Sequence, residues 1–541
     1  MTRSSKRSAG VTEVDIVEQP SALLRRQDGA MIIWRDAIVT ERRGSWSGAQ
    51  ELEVEITAGP QLPAVVAPGA RVKALAYPAL VGDPAVGDRV SITCSALARG
   101  LGTGGYAMVA ALPDRLPQDP AASAGHLVKA RYTPLQPMVL GVDDQESAHH
   151  DLLREADDLA GMPVVVADLH SALPAIIAGL RSEARDAGQP VPRVAYVMTD
   201  GGALPAWFSR SAATLKEAGW IAGTVSVGQA FGGDLEAVTL HTGLLAAKHV
   251  LGADVAIVTQ GPGNLGTGTR WGFSGVAAGE AINAAAVLGG RPIASLRVSG
   301  ADARPRHYGI SHHSLTAYGR VALAPADVVV PLQDESGEGL SPELAAEIAR
   351  GAASLVTPAG RHRQIPVSIA GLDLALADSP VRLSTMGRGM DQDASPFLAA
   401  AAAGRWAARL LAPVPSGIFH LALADDWTAA LAAGSYLTST RNALVSEVGY
   451  LHASLPHQVD PVAASFYSDL ADSGAVLVEI DVSELDKAGI AVVLEPGNPN
   501  QPHGERFPHV YGALPIAAAR STMAWRGSLR ASLGEPLGEA R

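Results

Sequence analysis

The chain has 541 residues, 47% of them apolar and 18% charged, with a formal net charge of −12 at pH 7. That length exceeds a single compact core, and at roughly 100–200 residues per domain it divides into about three or four. The acidic balance offers no electrostatic footprint for nucleic acid or anionic lipid, and the lone Cys94 excludes an intramolecular disulfide and a cysteine-rich zinc site, which suits a reducing cytoplasm.

Residues 1–30 begin basic, but no apolar h-region follows, so this stretch reads as a flexible tail rather than a signal peptide. The best membrane candidate, Ala399 to Ala424, is interrupted by Arg405, Arg409, Pro413 and Pro415. No stretch offers the roughly 20 uninterrupted apolar residues that a span needs, so a soluble, cytoplasmic protein is expected. From 31 to 116, short alternating runs (LEVEIT, RVKALAY, DRVSITC) punctuated by GDP, VGD and GTGG predict a small β-barrel whose glycines and aspartates serve tight turns.

The rhythm changes between 117 and 411. Buried-type strand runs (MPVVVADLHS, PRVAYVMTDGG, AGTVSVG, DVAIVTQG, PIASLRVS) alternate with helical segments, which predicts a doubly wound, mostly parallel, Rossmann-like α/β domain. In such sheets ligands bind beyond the carboxyl ends of the strands. That rule selects the loops DLHS, TDGGALP, GQAFGGD and QGPGNLGTGT. The ligand-binding candidates are therefore Gly201, Gly202, Gly232, Gly233, Gly261, Gly263, Asn264, Gly266, Thr267, Gly268 and Thr269. Glycines there let backbone N–H groups face an anion. Tight packing of strand, loop and helix is the alternative. The spacing matches neither G-x-G-x-x-G nor the P-loop, so it names no cofactor.

RPRHYGISHHSLTAYGR follows with His307, His312 and His313 among arginines. Asp200, Asp234, His312 and His313 are the acid–base candidates for this domain. A metal reading would add Asp168, His170 and His241, but no ligand spacing is diagnostic, so no metal ligand is assigned. Ser384, Thr385, Gly387 and Arg388 offer a further anion contact or, as preferred, a helix start with Asp391 and Asp393 near its positive end.

The blocks VSITCSALARGLGTGGYAMVAA, VMTDGGALPAWFS, VAIVTQGPGNLGTGTRWGFSG, RHYGISHHSLT and LSTMGRGMDQD together resemble the bacterial family catalogued as domain of unknown function 3866, over about 31–411. The resemblance implies that barrel and α/β region form one unit, and it implies no reaction.

After a linker (412–417), the segments YLHAS, AVLVEIDVSEL, IAVVLEP and RFPHVYG resemble the family catalogued as domain of unknown function 952, over about 416–516. That resemblance implies, for 418–516, an α+β domain with the ADP-ribosyltransferase fold, a split sheet that clasps NAD. His452 would then bond the nicotinamide ribose, Tyr511 or Tyr450 would stack on the nicotinamide, and Glu495 would stabilise positive charge on the ribose. The family's segment before the histidine appears here as EVGYLH, with Val448 between Glu447 and Gly449. The same residues also fit turn and sheet roles. Residues 517–541 read as a C-terminal tail.

The expected activity is that of an enzyme holding a phosphorylated or nucleotide-like anion at the sheet edge, with NAD as the cofactor suggested for the appended module. A non-catalytic metabolite-binding or sensing protein and a metal-dependent hydrolase are the alternatives. The expected partner is a small molecule and neither nucleic acid nor membrane; homo-oligomerisation is left open.

Overall fold

The computed structural model describes residues 31–101, 104–120, 124–333, 339–356, 361–470, 474–499 and 501–534. The expected tail at 1–30 lies outside them. Five strands, β1 (Trp34–Trp46), β2 (Ala49–Ala58), β3 (Arg71–Ala76), β4 (Arg89–Thr93) and β5 (Ala107–Ala111), close a barrel in the order β1-β2-β3-β5-β4. Alternation builds it: along β2, Leu52, Val54 and Ile56 point inward while Glu51, Glu53 and Glu55 are half-exposed. The antiparallel pairing of Trp34–Ile38 with Arg89–Thr93 closes the ring and removes its edges. Most of the barrel falls in one compact unit, and Gly44–Gln50, Tyr77–Leu80 and Gln118–Arg541 fall in a second.

The second unit is built on eight strands: β6 (Pro163–Val166), β7 (Val194–Thr199), β8 (Gly223–Ser226), β9 (Leu235–Glu236), β10 (Val255–Gln260), β11 (Arg291–Ser295), β12 (Asp327–Leu332) and β13 (Arg363–Ser368). They pair in parallel in the order β9-β8-β7-β10-β6-β11-β12-β13. β6 and β10 are buried at every residue, as strands covered on both faces must be. The chain runs from β6 out to β9, returns to β10 beside β6, and then fills the opposite half. The carboxyl ends of β6 and β10 therefore flank the switch point. β13 was not foreseen. It holds Pro366 and pairs on one side only, the edge position that tolerates a missing N–H.

Three helices carry residues of the sites or of their support: α1 (Leu173–Asp186), α2 (His312–Thr316) and α3 (Ser395–Arg409). α1 and α3 touch through glycine. A Cβ on Gly179 would stand 1.9 Å from Ala401 O, and one on Gly404 would stand 1.8 Å from Ile176 O.

The C-terminal domain is built on two three-stranded antiparallel sheets: β14 (Gly417–Leu423), β16 (Ala475–Asp481) and β19 (Ala519–Ala524) in one, and β15 (Leu451–His452), β18 (Arg506–Val510) and β17 (Val492–Pro496) in the other. A bridge between Phe419 and Ser454 joins them. β19 corrects the expected tail from 517. Its sequence, ARSTMA, alternates half-buried and exposed residues on a sheet edge, a pattern too polar to read as a strand from composition.

A buried ion network ties this domain to α1 and α3. Glu183 on α1 lies 3.3 Å from Arg405 Nε, 3.2 Å from Arg409 Nε and 2.7 Å from Arg506 Nη1, and Arg409 also pairs with Glu495 on β17. Burial alone would raise the Glu183 carboxyl; Arg409, Arg405 and Arg506 together hold it below the ordinary range. Replacing Arg409 with Met removes one cation from each of two buried carboxylates. The expected cost is about 3–5 kcal/mol, read as a loss of unfolding free energy by urea denaturation; a loss no larger than that of an exposed arginine would show that the network is hydrated.

Candidate functional site

The glycine loops at the sheet edge are packed before they are open. A Cβ on Gly202 would meet Gly261 O at 2.1 Å, and one on Gly261 would meet Ala203 O at 2.4 Å. Gly201 and Gly233 are similarly closed, by Gln260 Oε1 and Ser226 Oγ at 2.7 Å. Gly232 takes a left-handed φ of 86°. Asn264 Oδ1 accepts from Ser274 Oγ at 2.8 Å, and Thr267 and Thr269 bond each other and the backbone of Gly272. Only Gly263, Gly266 and Gly268 have space for a side chain among these candidates, at the exposed tip. The packing alternative thus accounts for most of this set.

The acid–base candidates do not assemble as expected. Asp200 accepts from Gln229 N at 2.9 Å, and Asp234 accepts from Thr224 N at 2.9 Å while pairing with Lys216, so each ties its loop to a neighbouring element. His170 is satisfied by Ser209 Oγ at 2.7 Å and Tyr196 OH at 3.0 Å, and His241 is exposed. Ser384–Thr385 and Arg388–Gly389 form a two-stranded hairpin, not the preferred helix start. Thr385 bonds Ser171 at 2.9 Å, and Arg388 reaches Asp302 and Asp393.

What does assemble is the histidine segment. His307, His312 and His313 bring one ligand-capable atom each within 4.8 Å of the others. Ser311, the N-cap of α2, accepts from His313 N and bonds His307 Nδ1 at 2.8 Å, so the cap also fixes the first ring. Phe273, which ends the glycine loop, stacks on His313 at 3.9 Å. Arg297 Nη1 donates to His313 Nδ1 at 2.9 Å. Beside them is Asp168, the first polar residue after β6, 2% exposed, its Oδ2 without a hydrogen-bond partner and 3.8 Å from both Arg297 Nη1 and His313 Nδ1. Burial, and then the neighbouring arginines, lower His307 to about 4 and His313 to about 3, so both rings are neutral at pH 7.

A second site lies in the C-terminal domain, a cleft of about 630 Å³ lined by His420, Ser439, Arg441, His452, Phe507 and His509 among others. His420 Nδ1 donates to His452 O at 2.7 Å, and His509 Nδ1 bonds Glu495 Oε1 at 2.8 Å. The Nε2 atoms of both rings are buried and without partners. His452 Nδ1 bonds Ser439 Oγ at 3.0 Å, and Tyr450 stacks on His509 at 4.0 Å. His452 therefore lines the cleft as expected of a ligand contact. Glu495 and Tyr511 do not. Glu495 is spent on His509, Tyr511 OH at 2.7 Å and Arg409, and although burial opposes it, Arg409 and His509 hold its carboxyl down to about 2. Tyr511 packs on Trp406 of α3. His420 was missed, and its signal was a lone polar residue in the apolar strand IFHLAL.

Residues 73–404 match the family described as "Protein of unknown function (DUF3866)", well over half of the chain. The chain belongs to the DUF3866 family. Residues 421–522 match a second model, "Protein of unknown function (DUF952)". Thus a DUF3866 region that includes the histidine cluster is fused to a DUF952 region that includes the cleft. Among solved structures, protein CC0527 from Caulobacter crescentus is similar at 22% identity, covering 20% of this chain and 84% of that one, with a TM-score of 0.17. DarT from Thermus sp. 2.9, in complex with carba-NAD+, is similar at 12% identity, covering 21% and 85%, with a TM-score of 0.16. No curated protein matches. Among the described residues of this DUF3866 protein no helix is long and apolar enough to cross a membrane.

The neutral histidines give the fold an acid sensitivity. Burial lowers His170 and His420 to about 4 each, below the ordinary value near 6.5. Between those values the unfolded chain binds more protons than the native one, so stability is lost as pH falls. The melting temperature is expected to decline from pH 6.5 towards pH 4. A flat profile across that window would mean that these rings protonate in place.

Proposed function

We propose that the C-terminal domain is a recognition module for a ligand of the nicotinamide-nucleotide class, and that it holds this ligand without cleaving it. The observation that carries the reading is the pair of bare Nε2 atoms on the cleft wall, of His420 and His509. Each ring commits its Nδ1, to a carbonyl and to a carboxylate, and burial keeps His420 neutral, so its Nε2 is offered as an acceptor. A buried acceptor left unsatisfied costs about 1–3 kcal/mol. A carboxamide or exocyclic amino group supplies the matching N–H donors. Phe466, Tyr467 and Phe507 add aromatic surface, and the cleft has the size usual for small-molecule sites. The DUF952 resemblance, with its implied ADP-ribosyltransferase-like fold, supports the NAD class.

Cleavage at a nicotinamide ribose builds positive charge that a carboxylate must meet. Among the described residues lining the cleft there is no Asp or Glu, and Glu495 is consumed elsewhere. These observations favour binding over transfer. The glycine loops of the DUF3866 region, being packed, lend less support to an anion-turnover enzyme than their sequence promised.

Calorimetric titration of the full chain with NAD is expected to show one site, weakened about tenfold, or ~1.4 kcal/mol, by His452→Ala, with no free nicotinamide in the mixture by NMR. Absence of binding in the parent would remove the NAD class. Nicotinamide release that His452→Ala abolishes would instead make the module an enzyme.

A further inference from the structure

We propose that His307, His312 and His313 form the binding site for one divalent transition-metal ion at the carboxyl edge of the large sheet. Three independent observations converge on it. The ligand-capable atoms of the three rings lie within 4.8 Å of one another. His312 Nε2 is buried and has no hydrogen-bond partner. Asp168 Oδ2, 3.8 Å from His313 Nδ1, is likewise buried and bare.

The arginines nearby do not oppose an ion as strongly as their number suggests. Arg304 is clamped by Asp302 through two bonds of 2.9 and 2.8 Å, and Arg388 lies between Asp302 and Asp393. Arg306 is solvent-exposed, and its Nε donates to His307 Nε2 at 3.4 Å, a long bond that an ion taking that nitrogen would displace into solvent. Arg297 meets His313, and it defines the chemistry of that ring. By donating to His313 Nδ1 it marks that nitrogen as the one carrying the lone pair. An ion that takes this lone pair displaces the guanidinium towards Asp168 Oδ2, so the orphaned carboxylate balances the displaced cation.

The donor set selects the metal class. Three neutral imidazoles suit zinc, cobalt, nickel or iron, whereas magnesium and calcium require oxygen ligands. Imidazole nitrogens held about 2.1 Å from zinc lie roughly 3.4 Å apart, so the rings close by about an ångström from their present separation, a movement the half-buried His312 can make. Three protein ligands leave the fourth position open to water or to a substrate, and the site stands at the switch point between β6 and β10, where Gln260 Nε2 bonds Asp168 O at 3.0 Å.

The test uses the full-length, tag-free chain, stripped with chelator and dialysed, then titrated with Zn2+ by calorimetry and with Co2+ by ligand-field absorption. One equivalent of saturable binding is expected, with a cobalt spectrum of nitrogen ligands. Affinity should fall at least tenfold in His312→Ala and in His307→Ala, and should be unchanged in the His420→Ala/His452→Ala double variant, which removes the other histidine cluster. Melting temperatures of the metal-free proteins control for folding, and His312→Gln, which keeps the bulk of the ring, serves if the alanine variant is unstable. No saturable binding, binding that survives both single variants, or binding lost only in the double variant would each overturn the assignment. So would Mg2+ competing at equal affinity.

Discussion

The carboxylate of Glu183 is surrounded in the interior by Arg405, Arg409 and Arg506, and the organisation of the second unit follows from how that charge is balanced. α1 and α3 approach so closely through Gly179 and Gly404 that no side chain fits between them there. Charges set beside such a contact cannot be hydrated, and a buried charge persists only if it is paired. Two guanidinium groups come from α3 and the third from β18, so balancing Glu183 requires the C-terminal domain to be seated. Arg409 then reaches on to Glu495, and Trp406 between the two arginines packs on Tyr511 and donates to Asp327 at 2.9 Å. Asp327 is in turn held by Arg291 and Arg363 at the far half of the sheet.

That network decides what Glu495 can do. A carboxylate that is buried and accepts from a histidine, a tyrosine and an arginine has its charge already met and is turned away from the cleft. Its effect on the cleft is indirect and specific: by pairing with His509 Nδ1 it fixes the orientation of that ring on the cleft wall. The chain of contacts Glu183, Arg409, Glu495, His509 therefore runs from α1 to the cleft wall. It is a positioning device, built from static pairs.

Much of the fold was legible because parallel strands buried on both faces cannot avoid continuous apolar runs; VVVAD, VAYVMT and VAIVTQ are such runs. β13 escaped because Pro366 and polar neighbours mark an edge strand, whose pattern is weak, and β19 for the same reason. The sites were half legible. His312, His313 and His452 stand where their residue types suggested chemistry. Asp200, Asp234, Gly202 and Gly261 looked alike on paper, yet their work is to brace loops. What separates the two groups is whether a polar atom is already satisfied by a neighbouring element, a property of three-dimensional packing that carries no trace in residue order. His420 and Asp168 show the converse. Each is a single polar residue in or at the end of an apolar strand, and one buried atom without a partner, His420 Nε2 or Asp168 Oδ2, is what singles it out.

The two histidine clusters differ in a way that assigns them different guests. In the cleft, the bare nitrogens belong to rings whose other nitrogens pair with a carbonyl and a carboxylate, and among the described residues these rings do not converge with a third ligand. Separated acceptors in an aromatic-walled cavity fit the polar edge of an organic molecule. At the sheet edge the three rings face one another, their neutrality enforced by burial and by arginines, with an unpartnered carboxylate alongside. Two of the rings accept from arginine, His313 Nδ1 from Arg297 and His307 Nε2 from Arg306, and His312 Nε2 has no partner. A cation takes all three nitrogens at once, where an organic donor would need three N–H groups aimed at one point.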